Sequence, residues 1–104
     1  MSTQRFPTIQ VGETYGGWQC TVTLPNGTLV PASGATPSFQ LRDRATRRAV
    51  TLGGAATMPA DGTVIYTRVA ADVAQPGQYQ IKITIVTASD GTIVSDWIDA
   101  EITA

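Results

Sequence analysis

Residues 72–86 read DVAQPGQYQIKITIV, and this stretch decides the fold. Pro76-Gly77 is a strong turn-forming pair. Directly after it, Tyr79, Ile81, Ile83 and Ile85 alternate with Gln80, Lys82 and Thr84. A period of two sends the apolar side chains to one face and the polar ones to the other, the pattern of a strand with one dry and one wet side. Tyr79 opens the strand straight out of the turn, offering a ring to the dry face and a hydroxyl that needs a partner.

The same alternation recurs along the chain. Trp18, Cys20, Val22 and Leu24 share one face, Phe39 and Leu41 another, and Val50 and Leu52 flank Thr51. Ile98, Ala100 and Ile102 alternate with Asp99, Glu101 and Thr103. Asn26-Gly27, Gly53-Gly54, Asp61-Gly62, Pro76-Gly77 and Asp90-Gly91 cut the chain into pieces of strand length. Strands are expected near 8–13, 17–24, 37–43, 47–52, 55–58, 63–70, 78–87 and 93–103, with one helical turn at AADVA (70–74). Seven to eight short antiparallel strands in 104 residues predict an all-β sandwich of two sheets. Its core would contain Trp18, Cys20, Val22, Leu24, Phe39, Leu41, Ile81, Ile83, Ile85, Ile98 and Ile102. Residues 6–104 read as a single domain, and residues 1–5 as a flexible tail able to order on a partner.

Bulk composition narrows the function. The net charge is −1, with 14% charged residues, so no basic field favours nucleic acid or an anionic membrane. Histidine is absent and cysteine occurs once. This excludes an intramolecular disulfide and leaves no spacing for a zinc site. The start MSTQRFPTIQ has no apolar signal segment, and no run reaches membrane-spanning length, which points to synthesis in the cytoplasm. No Ser/His/Asp set, phosphate-cradling glycine loop or cofactor motif is present. The expectation is a non-enzyme without cofactor or metal.

In immunoglobulin-like sandwiches a tyrosine near the start of the sixth strand hydrogen-bonds back to the preceding corner. Tyr79 stands in that position, two residues after Gly77, and is the expected tyrosine corner. Cys20, on the second strand, falls near the first-cysteine position of antibody domains, with Ile81 where the second cysteine would stand. A nucleophilic cysteine would want a histidine, so Cys20 is expected to act as a small hydrophobe.

The order of motifs then becomes specific. VGETYGGWQCTVTLPNGTLV (11–30) is followed by SGATPSFQLRDRATRRAV (33–50) and DGTVIYTRVAADVAQPGQYQIKITIVTASDG (61–91). This order resembles the immunoglobulin-like domain at the N-terminus of phage baseplate upper proteins, which recurs in prophage tail and virion proteins. The resemblance rests on Gly12-Glu13-Thr14, Asn26-Gly27, Ser33-Gly34-Ala35, FQLRD (39–43), Gly62 with Tyr66, Asp72, Pro76-Gly77 with Tyr79, and Asp90-Gly91. VPASGAT (30–36) departs from the Asp-Leu-Thr-Gly that often stands there. No receptor-binding region accompanies the domain, so the resemblance implies a virion component more firmly than host recognition. It implies a structural protein of the virion, at the tail, baseplate, neck or capsid, docked on other virion proteins in multiple symmetric copies.

Two surface features are candidate interfaces. Arg42, Arg44, Arg47 and Arg48 cluster in RDRATRR, which suits a solvated hairpin, a protein contact or a phosphate site. Trp97 faces outward if Ile98, Ala100 and Ile102 face inward, and a bulge would instead turn it into the core. Asp90, Asp96, Asp99 and Glu101 read as surface solubility, because no cleft is evident for paired-carboxylate chemistry. A carbohydrate- or host-surface-binding module, stacking sugars on Tyr15 or Trp97, is the alternative function. A scaffold domain excised from a longer protein is the third.

Overall fold

The structure is a computed structural model and describes residues 6–15, 17–89 and 91–104. The expected tail therefore lies outside the described residues, as does Asp90. The strands are β1 (Ile9–Gln10), β2 (Trp18–Thr21), β3 (Thr36–Asp43), β4 (Ala49–Val50), β5 (Ala55–Ala60), β6 (Thr63–Thr67), β7 (Gly77–Val86), β8 (Thr92–Val94) and β9 (Ile98–Thr103). A single 3₁₀ turn, Ala70–Val73, links β6 to β7. One sheet runs β1-β9-β7-β3-β4, with β8 also on β7, and the other runs β2-β6-β5. The fold is an all-β sandwich, as the alternation predicts.

β7 is the spine of the larger sheet. It pairs along its length with β3, from Gly77's neighbourhood at Tyr79↔Asp43 to Val86↔Thr36, and on its other side with β8 and β9. Ile81, Ile83 and Ile85 point inward and are buried, together with Phe39, Leu41, Ile98 and Ile102. β1 is a correction to the expected antiparallel strands: it pairs parallel to β9, with Ile9 beside Ile102.

Cys20, Val22 and Leu24 are a correction to the expected core: they pack against it but are only half-buried. The reason is position. β2 is the edge strand of the smaller sheet, and it stops at Thr21, after which Val22–Leu24 run on into the Asn26-Gly27 hairpin, with Thr23 bridging Leu29. Burial still pushes the Cys20 thiol up to about 11, so it is not a reactive thiolate at neutral pH. The expected strand 47–52 shrinks to the two residues of β4. On β5, Pro59 sits where the register with β6 shifts, a place on an edge strand that tolerates the missing N–H.

The two sheets meet through an aromatic column. Trp18 and Tyr66 are cross-strand partners in the smaller sheet. Their rings stack at 5.8 Å, and Tyr66 stacks on Phe39 of the facing sheet at 5.3 Å. Phe6 closes the column against Trp18 at 6.3 Å. Such pairs contribute about 0.5–1.5 kcal/mol each beyond their burial.

Tyr66 carries a hydroxyl into this apolar setting, and Asp72 meets it. Tyr66 Oη donates to Asp72 Oδ2 at 2.7 Å and accepts from Gly54 N at 2.7 Å. Asp72 also accepts from Gly53 N at 2.7 Å and Val69 N at 3.1 Å. One buried carboxylate thus ties the β4–β5 crossing to the β6–β7 crossing. Burial alone would raise the Asp72 pKa. The bonds from Gly53, Tyr66 and Val69 outweigh it and hold the carboxyl below its ordinary value. Burial and the bond to Asp72 push Tyr66 up to about 12. Gly54 has no room for a side chain, since a Cβ would run into the Thr67 carbonyl and the Tyr66 hydroxyl.

At the foot of β7, Tyr79 Oη donates to the carbonyl of Gln75 at 2.9 Å, four residues upstream. The ring is buried, so the hydroxyl's partner lies in the corner that the Pro76-Gly77 turn creates.

Two outcomes follow from these bonds. Because the native Asp72 pKa is lowered, its stabilisation is complete above the unfolded value of about 3.9 and is lost as pH falls through the native pKa. Urea titrations between pH 7 and pH 2 should show that decline in the wild type and a shallower one in Asp72→Asn. At pH 7 the variant should be about 1–3 kcal/mol less stable, since Gly53 N–H, Val69 N–H and the Tyr66 hydroxyl lose a charged acceptor. Tyr79→Phe should cost about 0.5–1.5 kcal/mol by the same titration, the net worth of one hydrogen bond to an accessible carbonyl.

Candidate functional site

The outer face of the larger sheet gathers the two candidate interface features. Along β3 and β7, the residues between the buried ones point out: Gln40 and Arg42 on one strand, Gln80 and Lys82 on the other. Arg42 Nε donates to Gln80 Oε1 at 2.9 Å, and Gln80 Nε2 reaches Asp99 Oδ1 at 3.4 Å. A polar rail therefore crosses β3, β7 and β9.

Trp97 lies against this rail. The guanidinium carbon of Arg42 stands 3.7 Å from its ring centroid, and Lys82 Nζ stands 4.9 Å away. Trp97 is thus on the wet face and half-buried, covered by cations instead of core. Both branches of the expectation contribute to the reason. Ile93 and Ile98 face inward although they are an odd number of residues apart. The register slips by one residue between Thr84↔Val94 and Ile81↔Ile98 to allow it. This bulge, at Ser95–Trp97, splits the expected single strand 93–103 in two. Ser95 holds the slip by accepting from Ile83 N through Oγ at 2.9 Å, while its own N–H donates to Ile83 O. The bulge faces Trp97 outward and leaves Ile98 to re-enter the core.

The other arginines sit on the β3–β4 hairpin. Asp43 organises its loop by accepting from Ala45 N and Thr46 N, each at 2.9 Å. The Thr46 amide, above all, holds the Asp43 carboxyl below its ordinary value. Arg44, Arg47 and Arg48 are exposed. Arg47 has φ 61°, a left-handed conformation that costs a non-glycine residue about 1–2 kcal/mol. Among the described residues no ion pair links any of the four arginines to a carboxylate, and Arg42 alone stacks on Trp97.

A concavity of about 390 Å³ opens where β4 leaves β3. Arg42, Arg47 and Trp97 form its polar and aromatic side, and Leu41, Val50 and Leu52 its apolar side. The structure thus brings together Trp97, Arg42 and Arg47. Arg44 and Arg48 do not line it.

The remaining candidates separate. Asp99 and Glu101 bond to Gln80 and Gln78 across the strands, and Asp96 is exposed. Among the described residues no group of three or more His, Cys, Asp or Glu side chains could hold a metal ion. Tyr15 projects its ring into solvent, at 89% exposure.

Arg68 escaped the sequence reading. It directly follows β6 as a buried cation, at 3% exposure. Its Nε and Nη2 donate to the carbonyls of Glu13 and Tyr15 at 3.0 and 2.8 Å, and it stands 5.0 Å over Trp18. Burial lowers its pKa from the ordinary arginine value. Arg68 follows the alternation of Val64 and Tyr66 by an even step, and that spacing was the available signal. Its charge hid it.

Comparison with known protein families, curated proteins and solved structures returns no match. The fold and this site define the chain as a two-sheet β-sandwich with a cationic, aromatic patch on the outer face of its larger sheet.

The cover on Trp97 has a spectroscopic consequence. Trp18 is buried, so acrylamide should quench chiefly the Trp97 component of the fluorescence, and Trp97→Phe should abolish most of the quenching. Arg42→Ala should uncover the ring and raise the quenching constant, with a stability loss of about 0.5–1 kcal/mol. Unchanged quenching in Arg42→Ala would show that the guanidinium does not shield the ring in solution.

Proposed function

We propose that this chain is a non-enzymatic, immunoglobulin-like docking module of a phage virion. It would be held on neighbouring virion proteins of the tail, baseplate, neck or capsid in several symmetric copies. The immunoglobulin-like part draws support from strand order. The sheets β9-β7-β3 and β2-β6-β5 follow the arrangement in which the third, sixth and seventh strands oppose the second, fifth and fourth. The bond from Tyr79 Oη to Gln75 O supports a tyrosine corner at the same place in that order.

The observation that carries the docking role is the patch itself. Tryptophan and arginine are the side chains most enriched at interface hot spots. Here Trp97 and Arg42 stack together on a sheet face, beside arginines that form no ion pair among the described residues.

A glycan-binding module is the second reading, and Tyr15 is the observation that favours it, since its ring is open to solvent. Trp97 weakens that reading, because the guanidinium of Arg42 already occupies ring surface that a sugar would stack on.

Particles purified from cultures of the source, analysed by mass spectrometry and cryo-electron microscopy, test the proposal. The expected result is the chain in intact particles, with density for this sandwich repeated at a symmetric position. Intact particles without the chain, together with millimolar glycan binding that Tyr15→Ala abolishes, would replace the virion role with the second reading.

A further inference from the structure

We infer that the open edge of β3 receives an extended acidic segment of a partner protein, which adds a strand beside Phe39 and seats its carboxylates on Arg42 and Arg47. This deepens the docking reading and rests on it.

The backbone supplies the first part. Asp43 N donates to Arg48 O across the β3–β4 ladder, while Arg44 N donates to Gln78 on the opposite side. In an antiparallel pair, bonding direction alternates residue by residue. The odd-numbered residues of β3 therefore direct their N–H and C=O toward the β4 side. β4 covers Leu41 and Arg42, through Val50 and Ala49, and goes no further. Among the described residues Phe39 has no ladder partner on that side. Beyond it, Pro37 has no N–H to give, so the edge ends there. What remains is the N–H and C=O of Phe39, one bonding position for an incoming strand.

The side chains supply the second part. The 390 Å³ concavity lies along this same stretch of edge. Val50 and Leu52 give it an apolar wall for alternate residues of an added strand, the usual division between ladder bonds and side-chain pockets. Arg42 and Arg47 border its other side. Arg42 spends Nε on Gln80, and no hydrogen bond occupies its terminal nitrogens among the described residues. Stacking on Trp97 holds the guanidinium in place, which prepares it for bidentate contact with a carboxylate. Arg47 keeps its long cationic side chain at a left-handed position where glycine would be less strained.

Charge selects the occupant. A second copy paired edge to edge would set these arginines against one another, a like-charge contact that opposes association. A nucleic acid could meet the arginines but offers no strand to the open ladder. An acidic strand satisfies both the ladder and the guanidinium groups.

The test is a display selection of random decapeptides on the immobilised full chain, followed by titration of the selected peptides into isotopically labelled protein. The expected peptides alternate Asp or Glu with β-branched residues. They should shift the Phe39 amide and Trp97 indole resonances saturably, and slow hydrogen exchange at Phe39. The double variant R42A/R47A, checked for an undisturbed amide spectrum elsewhere, should bind them about tenfold or more weakly. No enriched peptide, peptides without acidic bias, or acidic peptides that bind the double variant equally well would each overturn the inference. So would an oligothymidylate that displaces the peptides at the same resonances with higher affinity. Failure in this selection by a chain that is present in virions would remove the acidic-strand site and leave the docking role standing. Absence from virions with acidic peptides bound as described would do the reverse.

Discussion

The hydrogen bond between Tyr66 and Asp72 is the constraint on which the rest of the sandwich depends. The ring of Tyr66 lies in the aromatic column between the sheets, where its area contributes most, but its hydroxyl cannot be left dry. An unsatisfied buried hydroxyl costs about 1–3 kcal/mol. Asp72 removes that cost and, as a buried carboxylate, needs donors of its own. Gly53 and Val69 provide them from two different crossings between the sheets. Tyrosine, aspartate and glycine are therefore interdependent. The carboxylate is tolerable because of its donors, and both crossings are located by the carboxylate. Arg68 does the same just after β6, fastening the Glu13–Tyr15 segment through its carbonyls.

With the crossings held, the larger sheet is free to carry an irregularity. One extra residue at Ser95–Trp97 reverses the in-out alternation within the last stretch of chain. Such bulges re-aim a side chain, and here the re-aimed side chain is Trp97. The outward ring is not left bare, because Arg42 and Lys82 lie over it from the two adjacent strands. The bulge, the rail from Arg42 to Asp99 and the hairpin arginines form one continuous surface. That surface faces away from the Tyr66–Asp72 network. Changes in one are therefore expected to add to changes in the other without coupling.

The edge next to this surface is only partly protected. Sheet edges are commonly blunted by proline, charge or brevity, and the β3 edge shows all three in Pro37, the arginines and the two-residue β4. The protection is uneven. Proline closes one end and the hairpin the other, and the middle, at Phe39, stays open beside an apolar wall and two cations. An edge of this kind resists indiscriminate pairing yet admits a strand of complementary charge, which is a form of specificity by exclusion.

Much of this was legible in the chain. Alternation in DVAQPGQYQIKITIV and its counterparts determined that the protein is all-β and which faces of β3, β7 and β9 are buried, because a period of two leaves a strand no other economical arrangement. Asn26-Gly27 and Asp61-Gly62 marked hairpins for a similarly local reason, whereas Gly53-Gly54 and Pro76-Gly77 fell in the crossings between sheets. Three things required the third dimension. The slip at Ser95–Trp97 is a one-residue event that an alternating pattern can hide, so Trp97 could be read either way. Cys20, Val22 and Leu24 alternate as a core strand should, but edge position leaves them half-buried. The partnership of Asp72 with Tyr66 and Gly53 unites residues whose local patterns give no reason to meet. Local periodicity is encoded by neighbours in sequence. Register slips, edges and buried polar partnerships depend on which strands lie side by side, and only the packed sheets decide that.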